Sequence, residues 1–190
     1  KKIIFIDTEG SFSLDRIKQI SQGLPEFILK NIAILKPTNF EEQNKSFEKI
    51  HKELQSENIG LIIVDSISML YRLALADARK QGQEEVQKIN ADLANQMKIL
   101  YEIARKQDIP ILITGQVYNE FLSEEEWLSG KQAGVNVVGG DLLKYWSKCT
   151  IELQIEKGKK RAIIRKHRSI QEKDLYFEIV NEGIRKKGWL

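Results

Sequence analysis

Leu61-Ile62-Ile63-Val64-Asp65 is an unbroken apolar run that stops on a carboxylate. A strand with one wet face alternates apolar and polar residues, whereas an unbroken run belongs to a strand covered on both faces, as in a parallel sheet. Working outward, Ile3-Ile4-Phe5-Ile6, Ile32-Ala33-Ile34-Leu35 and Ile109-Pro110-Ile111-Leu112-Ile113 read the same way. Helical spacing fills the gaps between these runs. Leu14, Ile17 and Ile20 fit a short helix that starts after Ser13 and closes at Gly23. Thr38-Asn39-Phe40-Glu41 reads as a capping-box start, with Phe40, Phe47, Ile50 and Leu54 then keeping one face. Val86, Ile89, Leu93, Met97, Leu100 and Ala104 recur every three or four residues and predict a long helix. Repeated strand–helix–strand order implies an α/β fold, mainly a parallel sheet flanked by helices with right-handed crossovers.

After residue 145 the pattern changes. Thr150–Glu156 alternates, a turn centred on Gly158 follows, and Arg161–Arg165 and Leu175–Val180 read as further strands, so antiparallel strands are expected at the C-terminal end. The segments 72–84 and 118–140 read as long polar loops, a length that in a compact domain goes with function or disorder. At 190 residues the chain suits one domain, 1–190. No run of about 18 apolar residues and no secretory leader is present, so the expectation is a soluble cytoplasmic protein without membrane contact. Cys149 stands alone beside His51 and His167, which excludes an internal disulfide and a protein-only zinc site. The chain opens on Lys1 inside a strand-like run, and the expectation is that its beginning is absent.

Charge is unevenly spread. Lys144–Arg168 holds nine Lys or Arg against two acids, although the whole chain carries only +3. Such a stretch fits an anionic partner, nucleic acid or nucleotide; a solvated hairpin accounts for the same lysines.

In an open α/β sheet, ligands bind beyond the carboxyl ends of the strands. There stand Asp7, Thr8, Glu9 and Gly10, then Asp65 and Ser66, then Thr114, Gly115 and Gln116. Two acids, an amide and hydroxyls on one edge suit a magnesium–nucleotide site that activates water. An apolar run ending in Asp65 is the Walker B pattern, in which the carboxylate holds Mg²⁺, often through water; a turn or cap aspartate gives the same pattern. Glu9 suits a base that polarises water or a helix-entry carboxylate. Gln116 suits a γ-phosphate sensor or a buried amide that satisfies backbone. A phosphate-cradling loop is not found: Gly134-Val135-Asn136-Val137-Val138-Gly139-Gly140-Asp141 has Gly and Asp where Lys and Ser or Thr are required.

Phe5-Ile6-Asp7-Thr8-Glu9-Gly10-Ser11-Phe12-Ser13-Leu14-Asp15-Arg16-Ile17 resembles the signature that follows the P-loop helix in RecA-family recombinases of archaea and eukaryotes. Leu61–Leu70 resembles their Walker B segment, and Ile113-Thr114-Gly115-Gln116-Val117 is similar to their glutamine-bearing strand end. Val138-Gly139-Gly140-Asp141-Leu142-Leu143 resembles the end of their second DNA loop. Lys166-His167-Arg168-Ser169 places the resemblance nearest the short archaeal paralogues that lack an N-terminal DNA-binding domain.

The resemblance implies a DNA repair and recombination protein that binds DNA without sequence preference, binds ATP and Mg²⁺, hydrolyses ATP weakly and assists strand exchange. It implies Glu9 as catalytic carboxylate, Asp65 as Mg²⁺ ligand, Gln116 as γ-phosphate sensor, Arg16 against adenine, and Lys166 and Arg168 acting on a neighbouring subunit's nucleotide. DNA contacts are expected from Arg72, Arg79 and Lys80 in the region of the first DNA loop, Lys131 in the second polar loop, and Lys157, Lys159, Lys160 and Arg161 on the basic stretch, while Trp127 suits stacking on a base or docking against a partner protein. Partners implied are a RadA-type recombinase, a Holliday-junction resolvase and a second copy of the chain. The family places its P-loop before the first strand seen here, so these 190 residues alone are expected to be nearly inactive on ATP. A KaiC-like regulatory ATPase and a nucleotide-incompetent RecA-like binding module remain as alternative readings.

Overall fold

A computed structural model describes residues 1–22, 25–56, 58–119, 129 and 135–187. In chain order the first elements are β1 (Lys2–Asp7), α1 (Leu14–Ser21), α2 (Pro25–Leu29), β2 (Ile32–Leu35), α3 (Phe40–Ser56), β3 (Ile59–Asp65), α4 (Met69–Gln81) and α5 (Gln83–Gln107). Then follow β4 (Ile111–Ile113), β5 (Val117–Asn119), β6 (Val135–Val137), α6 (Gly140–Trp146), β7 (Thr150–Glu156), β8 (Lys159–Lys166), β9 (Asp174–Val180) and β10 (Gly183–Lys186). They divide between two compact units, Lys1–Phe12 with Lys30–Leu143, and Ser13–Leu29 with Lys144–Leu190.

In the first unit the four apolar runs pair in parallel in the order β2-β1-β3-β4, as their composition implies. Ile4, Ile6, Ile62 and Val64 are buried and share the core with Phe47 and Ile50 of α3 and Leu93, Met97 and Leu100 of α5. The opposite face is only part-covered: Phe12 meets Phe5 edge-on at 5.1 Å, while Leu112 stays 55% exposed. Helix α3 starts one residue later than the capping-box reading. Asn39 Oδ1 accepts from Glu42 N at 2.9 Å, and Glu42 in turn accepts from Thr38 N and Thr38 Oγ1. Asn39 thus takes the role assigned to Thr38, because Glu42 rather than Glu41 lies three residues into the turn.

The segment 72–84 is not a loop. Leu70, Tyr71 and Ala78 are buried along α4, and Arg79 and Lys80 occupy its last turn, where cations suit the free carbonyls. Gly82, at φ 131°, separates α4 from α5. Within 118–140 the described residues include the end of β5 and all of β6, which form an antiparallel ribbon, and the start of α6 at Gly140.

In the second unit Ser13 caps α1 by accepting from Arg16 N at 3.2 Å, and Gln22 turns left-handed at φ 45°; Gly23 lies outside the described residues. The antiparallel strands expected at the C-terminal end form a sheet of their own, β10-β9-β8-β7, with β10 as an additional fourth strand. Its alternation has an unusual sense. Ile151, Leu153 and Ile155 are exposed, whereas Glu152, Gln154 and Glu156 are half-buried among arginines.

Phe47 is 1% exposed, so Phe47→Ala is expected to cost about 3–5 kcal/mol through lost burial and the cavity left behind. Leu153, 67% exposed, should tolerate Ser within about 0.5 kcal/mol. Urea denaturation of both variants checks this; equal costs would mean that the core is not where Phe47 places it.

Candidate functional site

Pairing of β1 with β3 brings Asp7 opposite Asp65 at the carboxyl edge of the sheet. The two carboxylates then do different work. Asp7 is buried and accepts from Ser11 N at 2.9 Å and Phe12 N at 3.2 Å, so it braces the loop after β1. Asp65 is half-buried and accepts hydroxyl protons from Ser11 Oγ at 2.8 Å and from Thr114 Oγ1. A carboxylate ringed by hydroxyl oxygens is a hard-donor set suited to Mg²⁺, which keeps several waters and needs few protein ligands. Among the described residues no cluster of three or more His, Cys, Asp or Glu could hold a metal, so Asp65 would hold it with water and ligand oxygens.

Thr8 ties the first and third strands together. Its Oγ1 donates to Ser66 O at 2.8 Å and accepts from Ser66 N at 2.9 Å, and its N–H donates to Asp65 O at 2.8 Å. The Asp65–Ser66 peptide is cis. Ser66 Oγ donates to Glu9 Oε1 at 2.8 Å, and Gln116 Nε2 donates to the same oxygen at 2.9 Å. Ser68 Oγ accepts from Gln116 N at 2.9 Å, which fixes the backbone of that residue to the turn after β3. Both donors to Glu9 fall on Oε1; among the described residues Oε2 meets no donor, and the side chain is exposed. An oriented carboxylate with one free oxygen can accept a proton from water or hold water in place. Glu9, Asp65 and Gln116, predicted separately, are therefore brought together.

The other predicted residues are placed elsewhere. Arg16 donates from Nη2 to Val180 O at 2.8 Å and from Nη1 to Asn181 O at 3.2 Å, within the second unit. Lys166 Nζ donates to Lys144 O at 2.6 Å, and Arg168 is exposed next to His167, whose Nδ1 accepts from Ser169 N and Ile170 N. Arg72, Arg79 and Lys80 are exposed on α4, with Lys80 paired to Asp77 at 2.7 Å. Lys131 and Trp127 lie outside the described residues, as does the side chain of His51.

The basic stretch divides by residue type. Arg161 bridges Asp174 at 2.7 Å and Glu156 at 3.1 Å, and Arg165 bridges Glu152 at 2.6 Å and Glu172 at 2.5 Å. Lys157, Lys159 and Lys160 stand exposed at the β7–β8 turn, and among the described residues no ion pair engages them. The site also uses residues that the strand-end reading did not single out. Ser68 is buried at 0% exposure, and its only sequence signal is its place two residues after Ser66. Val117-Tyr118 carries strand-forming residues that mark β5, and Val138 N donates to Gln116 O at 2.9 Å, joining the ribbon's far end to the site.

Residues 1–187 match the Rad51 family. This chain belongs to the Rad51 family. Among curated relatives of this Rad51-family chain is the DNA repair and recombination protein RadB of Methanococcus maripaludis (strain C7), 41% identical over 185 residues that cover 97% of the chain and 78% of the relative. RadB of Methanocaldococcus jannaschii is 38% identical over 183 residues, 96% of the chain and 79% of the relative. RadB of Methanococcoides burtonii is 38% identical over 187 residues, 97% and 76% respectively. The short archaeal paralogues suggested by Lys166–Ser169 are this RadB group.

The ion pairs of the second sheet make a pH prediction. Burial opposes the charge on Glu152, but hydrogen bonds from Arg165 and Gln154 outweigh it and hold the carboxyl below its ordinary 4.5. A depressed carboxyl contributes stability above its unfolded pKa and loses it as pH falls through the folded value. Arg165→Gln should therefore destabilise the chain at neutral pH and differ less from the parent well below pH 4.5. Denaturation midpoints at both pH values check it, and a difference that grows on acidification would contradict the assignment.

Proposed function

We propose that this chain acts in DNA repair and recombination as RadB proteins are named to do, binding ATP with Mg²⁺ and binding DNA without sequence preference. The observation that carries the reading is the Gln116–Glu9 contact on the same sheet edge as Asp65, in a chain that matches the Rad51 family from residue 1 to 187. Mg²⁺ held by Asp65 would neutralise phosphate charge. Glu9 orients a water through its free oxygen, and Gln116, hydrogen-bonded to Glu9, is placed to sense an anion arriving beside that carboxylate. Loss of that contact would be felt by the β5–β6 ribbon, because Gln116 O accepts from Val138 N. In this reading hydrolysis is weak and the protein assists a RadA-type recombinase, with a Holliday-junction resolvase and a second copy as further partners.

Arg16 Nη1 and Nη2 are engaged by Gln19 Oε1, Asn181 O and Val180 O, which favours the guanidinium face as its means of meeting an adenine. Lys166 would have to leave Lys144 O to reach a neighbour's nucleotide, whereas Arg168 would not need such a rearrangement. For DNA, the lysines at the β7–β8 turn are the favoured contacts of the second unit, and Arg72 and Arg79 on α4 are those of the first. Arg161 contributes mainly by holding Glu156 and Asp174.

Two experiments test this reading. In a form that carries an intact P-loop ahead of Lys1, Glu9→Gln should lower ATP turnover by about 100-fold or more, with nucleotide affinity retained. Unchanged turnover would remove Glu9 from the reaction. On a single-stranded oligonucleotide, affinity should fall with salt, and replacing Lys157, Lys159 and Lys160 by Ala together should reduce the log–log slope by up to about 2, at about 0.7 for each lost phosphate contact. Fluorescence anisotropy titrations at several salt concentrations read the slope, and an unchanged slope would return the hairpin to solvent.

A further inference from the structure

Behind the sheet edge, four polar side chains of α3 and α5 form a line through the interior of the first unit. Asn44 Nδ2 donates to Asp92 Oδ2 at 3.1 Å, Gln96 Nε2 donates to Asn44 Oδ1, and Gln43 Nε2 donates to Gln96 Oε1 at 2.7 Å. The second proton of Gln43 Nε2 goes to Ile67 O at 3.3 Å. Every donor points along the line toward Asp92, so the amide dipoles add, and a chain of this kind polarises each of its members. Gln43 and Gln96 are 0% and 1% exposed. The direction leaves Gln43 Oε1 buried with no partner among the described residues. A buried acceptor left unpaired costs free energy, and an apolar side chain of similar volume would avoid that cost.

Ile67 lies between Ser66, which donates to Glu9, and Ser68, which holds the backbone of Gln116. Ile67 N donates to Thr114 O at 3.0 Å, so the same turn also fixes the strand end that supplies Thr114 to Asp65. We infer that Gln43 and Gln96 are positioning residues: they clamp the Ile67 carbonyl and through it set the placement of Ser66 and Ser68, hence of Glu9 and Gln116. The inference rests on the functional reading only for why that placement matters; the clamp itself is a statement about the turn.

The test is amide hydrogen exchange and ¹⁵N NMR on the chain as it stands, without nucleotide. Gln43→Met keeps the volume and removes both donors and the orphan acceptor. Because Gln96 Oε1 and Ile67 O lose their donor, global stability by urea denaturation should fall, while exchange at Ile67 N–H and Gln116 N–H accelerates about five- to tenfold beyond what that fall accounts for and the Gln116 side-chain amide resonances move. Amides of Ile163 and Phe177, in the other unit, should keep their rates. Asp92→Ala, at the half-buried end of the line, should shift the same Ile67 and Gln116 signals in the same direction but less, and serves if Gln43→Met does not fold. Ile67 and Gln116 signals that stay fixed, or change only in proportion to global stability, would overturn the clamp. Because no step reads ATP or DNA, that failure would leave the functional reading untouched.

Discussion

The in-register parallel pairing of β1 with β3, with Asp7 opposite Asp65, is the constraint on which the rest of the site depends. Side chains alternate along a strand, so a slip of one residue would move every apolar side chain to the other face. Burial of Ile4, Ile6, Ile62 and Val64 forbids that slip. Once the register is set, Val64 pairs with Ile113 on the other side of β3, and Thr114 must emerge beside Asp65. Three strand ends then stop at one level, and Thr8, Ser66 and Ser68 fasten them with hydrogen bonds that no helix supplies.

Strand parity also explains the division of labour between the acids. Asp7 and Asp65 follow the phase of Phe5 and Ile63, and both therefore project on the part-covered face of the sheet. The loop after β1 folds over that face, sets Phe12 edge-on against Phe5 and points the Ser11 and Phe12 N–H groups at Asp7. Among the described residues the Asp65 carboxylate accepts only from hydroxyls. A carboxylate that accepts backbone N–H groups is consumed as structure, whereas one that accepts from hydroxyls stays open to exchange them for a cation's waters. Glu9, beyond the strand, escapes both fates and is held by one oxygen only.

This sets what was legible in the sequence. The four parallel strands and α5 could be read because unbroken apolar runs and long 3.6-residue periodicity survive without knowledge of neighbours, whereas β5, β6 and β10, only three or four residues each, carry too short a pattern. Helix α4 could not, because its polar residues Arg72, Asp77, Arg79 and Lys80 crowd a short segment that Gly82 then ends. Asp65, Glu9 and Gln116 stood out by following strands, but their roles depend on contacts made across a sequence distance of 48 residues or more. The amides of Gln43 and Gln96 gave no signal, since each sits in a helix as a polar residue that a sequence reading assigns to solvent.

The basic stretch shows why net charge along a segment is a poor measure of an electrostatic surface. Arginine presents a planar fork that can bridge two carboxylates, while lysine is a flexible point charge. Arg161 and Arg165 each use the fork to join β7 to the strand or turn across β8, and the acids they meet include Glu172 and Asp174, which lie outside the basic stretch. Two of the nine cations of the stretch are thereby turned inward, into cross-strand pairing that needs the half-buried polar face. The lysines cluster where the chain reverses, around Lys157 at φ 48° and Gly158, and Glu156, the acid opposite Lys159, is taken up by Arg161 and Tyr176. Lys157, Lys159 and Lys160 would thus offer a phosphate backbone a small footprint at the hairpin end of the sheet, with a salt slope correspondingly smaller than that of a broad stripe.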